Sequence, residues 1–325
     1  MRPFSYTAAR ESSAAIASVA GHAGARFLAG GTSLIDLMKD DVERPTLLVD
    51  INALPYSAIE TTPDRVRIGA LARMSDVADH ASVVHYLPSV SQALLLSASA
   101  QLRNAASIGG NLMQRTRCAY FRDVAVACNK RAPGEGCAAI GGVNRLHAVL
   151  GASDHCICVH ASDLAVALVA FDATLHAHGP KGERTIRLHD FYALPGTTPQ
   201  RETALAPGEL IVAVDVPRSP AAANSHYLKI RDRASYEFAL VSVAAGLEVT
   251  GGVIRDARIA LGGVAPIPWR ARAAEMSLQG ATPSPDAFAH AAQIALQGAR
   301  GQGMNDFKIA LGRRAVVRAL SAVSA

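Results

Sequence analysis

The sequence lacks the patterns that mark several large protein classes. No apolar run reaches the roughly 18 residues that a membrane-spanning helix needs. The first residues carry one cation and no apolar stretch after it, so we predict no signal peptide in this chain. The net charge is +5, but the cations do not form a stripe with aromatic residues between them, and nucleic acid is not an expected partner. With 50% hydrophobic and 18% charged residues, the chain has the composition for a large buried core.

Common nucleotide and metal signatures are missing too. The glycines follow neither the Gly-x-Gly-x-x-Gly spacing of Rossmann folds nor the Walker loop. The cysteines lack the closely spaced Cys-x2–4-Cys pair that structural zinc sites use, and they lack a ferredoxin-type run. Their number, five, is odd and fits a disulfide framework poorly. We therefore expect reduced thiols or metal ligation.

All five cysteines lie in one glycine-rich, loop-like insertion: Cys118, Cys128, Cys137, Cys156 and Cys158. Four thiolates from a long irregular loop are compatible with a [4Fe–4S] cluster, whereas buried free cysteines or disulfides are the alternative interpretation. The insertion is also rich in cations, which we expect to balance the negative charge of metal-bound thiolates. These cations are Arg115, Arg117, Arg122, Lys130, Arg131 and Arg145.

Two glycine pairs are candidates for holding a phosphate. Gly30-Gly31, followed by Thr32 and Ser33, lies between a predicted strand over 25–29 and a predicted helix over 34–39. Gly109-Gly110 follows Ser107, whose hydroxyl can take part in a hydrogen bond. Glycine permits close approach of backbone N–H groups to a phosphate, although ordinary turns use the same residues.

A carboxylate follows the cysteine insertion. The apolar run after Ser162 predicts a helix whose N-cap is Ser162 or Asp163. Asp163 can therefore be an ordinary cap or a carboxylate that accepts ribose hydroxyls. A Pro/Ala/Ser-rich stretch over 218–225 predicts a domain boundary, and helices are predicted after it over 271–278, 285–297 and 306–323.

Three segments resemble the flavin-site motifs of one family: Phe27 to Leu34, Ser107 to Asn111, and Asp163-Leu164. The family is that of the FAD-binding medium subunits of molybdenum hydroxylases, the xanthine dehydrogenase family. Most members lack the cysteine insertion, and this sequence is most similar to the iron–sulfur-containing subunits of bacterial periplasmic aldehyde oxidoreductases. The resemblance implies an α+β fold. An FAD-binding domain of the vanillyl-alcohol-oxidase (PCMH) type would span 1–218, with subdomains 1–55 and 56–218 and the insertion at about 112–160. A C-terminal α+β domain of the CO dehydrogenase flavoprotein type would span 222–325.

The resemblance also implies the residues of the site. The FAD pyrophosphate would lie on Arg26, Phe27, Leu28, Ala29, Gly30, Gly31, Thr32, Ser33 and Leu34, and on Ser107, Gly109, Gly110 and Asn111. Asp163 would meet the ribose or adenine end, Ile211 would contact the flavin ring through its backbone, and Lys229 would lie near the isoalloxazine. Arg122 would bridge cluster and cofactor, or be an ordinary surface arginine. The [4Fe–4S] cluster would be bound by Cys118, Cys128, Cys137 and Cys156, which leaves Cys158 spare.

The implied function is that of the FAD and [4Fe–4S] subunit of a heterotrimeric molybdenum-dependent aldehyde oxidoreductase. Its partners would be a large molybdenum-cofactor subunit, a small [2Fe–2S] subunit and an external electron acceptor. No substrate-activating residue is expected in this chain. The alternatives are a medium subunit of the xanthine dehydrogenase or aromatic-CoA reductase type, a flavin oxidase acting alone, and a non-enzymatic metal-binding sensor. The expected compartment is the periplasm, reached with a signal-bearing partner, or the cytoplasm.

Overall fold

The computed structural model describes residues 1–324 and contains three β-sheets packed against helices. The first sheet is parallel, with strand order β1–β3–β2. It is formed by β1 (Ser5–Ala8), β2 (Ala25–Leu28) and β3 (Leu47–Asp50). Helices α1 (Ser12–Ala20) and α2 (Leu34–Lys39) connect these strands, because parallel neighbours need a crossover. The strand and the helix predicted on either side of the first glycine loop are both present.

The second sheet is antiparallel and has the strand order β4–β5–β8–β6–β7. Its strands are β4 (Ile59–Thr61), β5 (Arg65–Gly69), β6 (Thr174–Gly179), β7 (Gly182–Arg187) and β8 (Leu210–Pro217). Helices form a shared core with one face of this sheet. They are α3 (Met74–Asp79), α4 (Ala81–Tyr86), α5 (Pro88–Leu95), α7 (Ile108–Leu112) and α9 (Asp163–Ala170), whereas α6 (Ala100–Ala105) has no buried residue. Every residue of α9 is buried, which explains its unbroken apolar sequence.

The segment between α7 and α9 carries the cysteines and has little regular structure. It contains the short helix α8 (Ala119–Arg122) and isolated bridges that pair Cys128 with Cys137 and Ser153 with Cys156. Side chains hold its backbone in place. The Asn129 side-chain oxygen accepts hydrogen bonds from two glycine N–H groups, and Arg131 donates to the carbonyl oxygens of Tyr120 and Phe121. The segment is therefore ordered by polar contacts to its own backbone.

The third sheet is antiparallel, with strand order β12–β11–β10–β9. It follows α10 (Pro220–Ala223) and is formed by β9 (Ser225–Ile230), β10 (Val241–Thr250), β11 (Val253–Gly262) and β12 (Trp269–Arg270). Three helices pack on it: α11 (Arg272–Leu278), α12 (Pro285–Ala295) and α13 (Phe307–Val323). The three predicted C-terminal helices are present, with small differences at their ends. Within residues 1–324, no helix has the length and apolarity to cross a membrane.

The end of the cysteine insertion belongs to the core of the C-terminal domain. Val149 and Leu150 pack in that core, and their N–H groups both donate to the carbonyl oxygen of Val264. From α13, the buried Lys308 ammonium donates to the carbonyl oxygens of Leu146, His147 and Gly263 at 2.7–3.0 Å. The insertion is thus fastened at its end to the third sheet and its helices.

Candidate functional site

The two glycine loops lie against each other. A side-chain Cβ added to Gly30 would lie 2.0 Å from the carbonyl oxygen of Ala105, so only glycine allows this contact. Gly31 has φ of +72°, in the left-handed region that favours glycine. The first glycine pair therefore serves two purposes, the approach to the second loop and the turn into α2.

The second loop is joined to the start of α9. Ser107 caps α7 by accepting a hydrogen bond from the Gly110 N–H group at 3.2 Å. The Asn111 side-chain oxygen accepts a hydrogen bond from the Ser162 hydroxyl at 2.5 Å. Ser162 is also the N-cap of α9. The second glycine loop and the start of α9, which are distant in sequence, are thus in direct contact.

A long cleft runs past both loops. On one side, a cavity of about 290 Å³ is lined by the loops and by Ile211. On the other side, a cavity of about 670 Å³ is lined by Asn111, Asp163 and Lys229. The glycines that line both cavities are Gly30, Gly31 and Gly110. The cleft therefore has backbone N–H groups at its middle and a separate chamber at each end, as a dinucleotide with a central pyrophosphate requires.

Most of the predicted cofactor residues line this cleft. Those of the first loop are Arg26, Phe27, Ala29, Gly30, Gly31, Thr32, Ser33 and Leu34, and those of the second are Ser107, Gly109, Gly110 and Asn111. Leu28 is the exception, since it is the last residue of β2 and does not line either chamber. The loops thus line the cleft mainly with backbone atoms and small side chains.

Asp163 is held by three donors. Its carboxylate accepts hydrogen bonds from the Tyr227 hydroxyl at 2.7 Å, from Lys229 Nζ at 2.7 Å and from the Ser97 hydroxyl at 3.1 Å. Burial and the nearby Asp163 charge raise the pKa of Tyr227 well above its ordinary value, so its hydroxyl keeps the proton it donates. Since Ser162 takes the N-cap position, Asp163 is free to face the cleft.

Lys229 and Asp163 lie at the same end of the cleft. They form a buried ion pair, whereas Ile211 lines the opposite chamber. The sequence-based roles put Asp163 at the ribose or adenine end and put Lys229 with Ile211 at the flavin ring. The ion pair brings Asp163 and Lys229 together at one end of the cleft, and the part of the cofactor that each residue meets stays a prediction.

Arg122 connects the cysteine insertion to α2. Its guanidinium pairs with Asp36 at 2.6 Å and with Asp40 at 2.5 Å. Partial burial opposes its charge, but hydrogen bonds to the two carboxylates outweigh this and raise the pKa of Arg122. Asp36 also accepts from Arg117 and lines the cleft. Arg122 thus reaches the cleft through a carboxylate of α2, and its role as a bridge between cluster and cofactor stays a prediction.

The five thiols are unpaired. Cys118 lines a third cavity, of about 540 Å³, which shares Asp163 with the cleft. Its sulfur is 3.2 Å from His147 Nε2, and burial raises the pKa of the thiol to about 12. Cys118 packs against an apolar cluster that includes Cys128, and Cys128 bridges to Cys137. In the described chain, no three His, Cys, Asp or Glu side chains are grouped closely enough to hold a single metal ion.

Five of the six cations of the insertion are engaged with carboxylates or backbone carbonyls, which corrects their expected role as partners of thiolates. Arg115, Arg117, Arg122 and Arg145 pair with carboxylates, and Arg131 donates to backbone carbonyls. The exception is Lys130, which pairs with Glu202 at 3.0 Å and also lies near the thiols of Cys158 and Cys156. The physical reason is that carboxylates distant in sequence fold onto the insertion, where they compensate the cations directly.

Two residues that hold Asp163 through their hydroxyl groups, Ser97 and Tyr227, were not predicted from the sequence. Ser97 looks like an ordinary end of an apolar helix. Tyr227 carried a usable signal, because residues two apart on a strand point to the same face and Tyr227 precedes Lys229 by two in β9.

Comparisons with known proteins agree with this geometry. Residues 2–219 match the FAD binding domain in molybdopterin dehydrogenase, and residues 226–323 match the CO dehydrogenase flavoprotein C-terminal domain. The chain is 47% identical over 324 residues to the aldehyde oxidoreductase FAD-binding subunit PaoB of Escherichia coli K12, covering 99% of this chain and 98% of the relative. It is 28% identical to the carbon monoxide dehydrogenase medium chain of Hydrogenophaga pseudoflava, covering 92% and 88%.

Solved structures give the same result for the fold. A chain of the carbon monoxide dehydrogenase of Hydrogenophaga pseudoflava superposes with a TM-score of 0.77 at 28% identity, covering 99% of this chain and 97% of that one. The expected FAD-binding and C-terminal flavoprotein domains are therefore confirmed. The chain belongs to the family of FAD-binding medium subunits of molybdenum hydroxylases, and it is an FAD-binding subunit of an oxidoreductase.

Proposed function

We propose that this chain is the FAD and [4Fe–4S] subunit of a heterotrimeric, molybdenum-dependent aldehyde oxidoreductase. Electrons would arrive from a large molybdenum subunit through a small [2Fe–2S] subunit and leave through FAD to an external acceptor. The observation that carries the proposal is the 47% identity, over nearly the whole of both chains, to an aldehyde oxidoreductase FAD-binding subunit. The two-chambered cleft supports the cofactor assignment.

The donor set of the insertion fits an iron–sulfur cluster in its chemistry. Five unpaired thiols occupy one segment, and the isolated bridge brings the backbones of Cys128 and Cys137 together. The irons of a [4Fe–4S] cluster occupy separate corners, so its thiolate ligands need not meet at one point as the ligands of a single ion do. We propose Cys118, Cys128, Cys137 and Cys156 as the ligands, with Cys158 spare.

When bound, FAD supplies the two-electron chemistry, and this chain supplies its binding and orientation. The glycine loops offer backbone N–H groups to the pyrophosphate. At one end of the cleft, Asp163 can accept hydrogen bonds from the cofactor while Lys229 and Tyr227 keep its carboxylate in place. Aldehyde chemistry is assigned to the large partner.

The compartment is part of the proposal: export to the periplasm with a signal-bearing partner, or residence in the cytoplasm. Fractionation of the native host, followed by detection of this chain together with the large subunit, separates the two.

The central experiment uses the full chain, expressed alone and together with its neighbouring genes. Alone and purified anaerobically, it should show flavin bands above a broad iron–sulfur absorption, and it should oxidise no aldehyde. Co-expressed, it should purify with a larger and a smaller subunit and support aldehyde-dependent reduction of an artificial acceptor.

The outcomes separate the alternatives. If the protein contains flavin but no iron or sulfide, the cluster assignment is wrong. The chain would then be an FAD subunit of another molybdenum hydroxylase type. Aldehyde turnover by the isolated chain would support an independent flavin oxidase. A protein with neither flavin nor iron would contradict both cofactor assignments.

A further inference from the structure

Four charged side chains form a continuous chain from the cysteine insertion to the glycine-loop cleft. Lys130 Nζ lies 3.0 Å from Glu202, Glu202 lies 2.5 Å from Arg115, and Arg115 lies 2.6 Å from Glu43. We call these four residues the charge chain. Glu43 and Arg115 line the cleft chamber that also holds Ile211, while Lys130 is two residues from Cys128. The charge chain thus connects two parts of the molecule that share no secondary-structure element.

The charge chain is electrically balanced only when Lys130 is present. Its two carboxylates face two cations, and the guanidinium of Arg115 is shared between Glu43 and Glu202. Lys130 is 7% exposed and has Glu202 as its carboxylate partner. A second cation for Glu43, Arg26, is 3.9 Å away and half exposed, so solvent weakens its contribution. Arg115 therefore provides most of the compensation for Glu43.

This balance matters because the cofactor is an anion. FAD carries a pyrophosphate, and Glu43 places a carboxylate in the chamber beside the loops that hold it. The surroundings screen poorly, since the side chains of Glu43 and Arg115 are about four-fifths buried and Arg115 lies over the Phe121 ring at 4.5 Å. In such a site, one uncompensated negative charge repels an anionic ligand more strongly than it would in water.

We propose that Lys130 is a positioning residue for FAD that acts through charge. By neutralising Glu202, it leaves Arg115 free to neutralise Glu43, and so the cysteine insertion controls the electrostatic potential of the cofactor cleft. Lys130 touches neither the glycine loops nor the cleft. The proposal depends on the FAD site of the family.

The test is the dissociation constant of FAD from the full chain, measured by flavin fluorescence on protein freed of cofactor. Lys130→Met should bind FAD about tenfold more weakly, because Glu202 then competes with Glu43 for Arg115. The double variant Lys130→Met/Glu202→Gln should return to near the wild-type constant, because the remaining Glu43–Arg115 pair is neutral. Glu202→Gln alone should bind FAD several-fold more tightly, because Glu43 is then the only carboxylate of the charge chain that Arg115 neutralises.

Arg187→Met is the control, since Arg187 pairs with Asp190 on the surface and both side chains are well exposed. It should leave the constant unchanged. Equal weakening in Lys130→Met and the double variant would overturn the proposal and indicate lost packing. Wild-type affinity in Lys130→Met would overturn it too. If Lys130→Met does not fold, the Glu202→Gln variant provides the test. An FAD affinity of Glu202→Gln that is unchanged or weaker than that of the wild type would overturn the proposal. If the wild-type chain does not bind FAD, the assignment of FAD as its cofactor is wrong instead.

Discussion

The Tyr227 hydroxyl and Lys229 Nζ both donate to the Asp163 carboxylate, each at 2.7 Å, and so join strand β9 to the start of helix α9. Asp163→Ala should lower the free energy of unfolding by about 3–5 kcal/mol, because it leaves the Lys229 ammonium buried without its counter-charge. Tyr227→Phe removes one hydrogen bond to a charged group and should cost about 1.5–3 kcal/mol. Urea unfolding of the full chain measures both. Equal costs would show that the ion pair contributes no more than the hydroxyl.

Gly31 and Gly251 are a matched pair for testing the cleft. Both have positive φ, +72° and +62°, but Gly251 lies in the turn between β10 and β11 with open space around it. Alanine at either position should cost about 1–2 kcal/mol of stability from backbone strain. Only Gly31→Ala should also weaken FAD binding, because it displaces the loop that faces the phosphate. Equal FAD affinity in the two variants would remove the first loop from the cofactor site.

Iron analysis of five single variants tests the proposed cluster. Cys118→Ala, Cys128→Ala, Cys137→Ala and Cys156→Ala should each lose most of the iron and sulfide, and they should loosen the insertion. Cys158→Ala should keep both, with at most a modest packing loss at this buried position. If Cys158→Ala loses iron while Cys156→Ala keeps it, the two assignments are exchanged. Retention in all five variants would exclude these ligands.

Lys308 should give the protein a distinctive dependence on pH. Burial lowers the pKa of Lys308 in the folded state to about 7, against an ordinary value of 10.5. Between these values the unfolded chain binds a proton that the folded chain has released, so rising pH favours folding by about 1.4 kcal/mol per unit. Below pH 7 both states hold the proton, and this contribution is absent.

Lys308→Met removes the titrating group. Compared with the wild type, this variant should show a smaller rise in unfolding free energy between pH 7 and pH 9, whatever its overall stability. Parallel curves for the two proteins over that range would mean that the three carbonyl oxygens around Lys308 keep its ammonium protonated.

The parts of the site that can be predicted from the sequence are those whose conformation depends on residues close to them along the chain. The first glycine loop follows a strand and precedes a helix, and a short pattern of apolar residues, glycines and hydroxyls is enough to indicate it. The helix at Asp163 is predicted in the same way, from one capping residue and an apolar run. The structure adds that Ser162 is the cap, which leaves the Asp163 carboxylate to Tyr227 and Lys229.

The parts that sequence did not predict depend on contacts between distant segments. Glu43 and Arg115 are 72 positions apart, and Arg115 and Glu202 are 87 apart. Charged residues in loops usually face solvent, and nothing in the pattern around Glu43 or Glu202 indicates a buried partner. The ordered conformation of the cysteine insertion was not predicted for a related reason. Its backbone is held by Asn129 and Arg131 rather than by a periodic apolar face.

The cleft also has a consequence for the order of events during synthesis. The glycine loops are made early, but Lys229 belongs to the strand that opens the last domain. Any nascent chain that ends before Lys229 has an Asp163 without its cation and a cleft without one wall. The binding site for the cofactor is therefore complete only after the C-terminal domain has been synthesised, and we expect FAD to bind after that point.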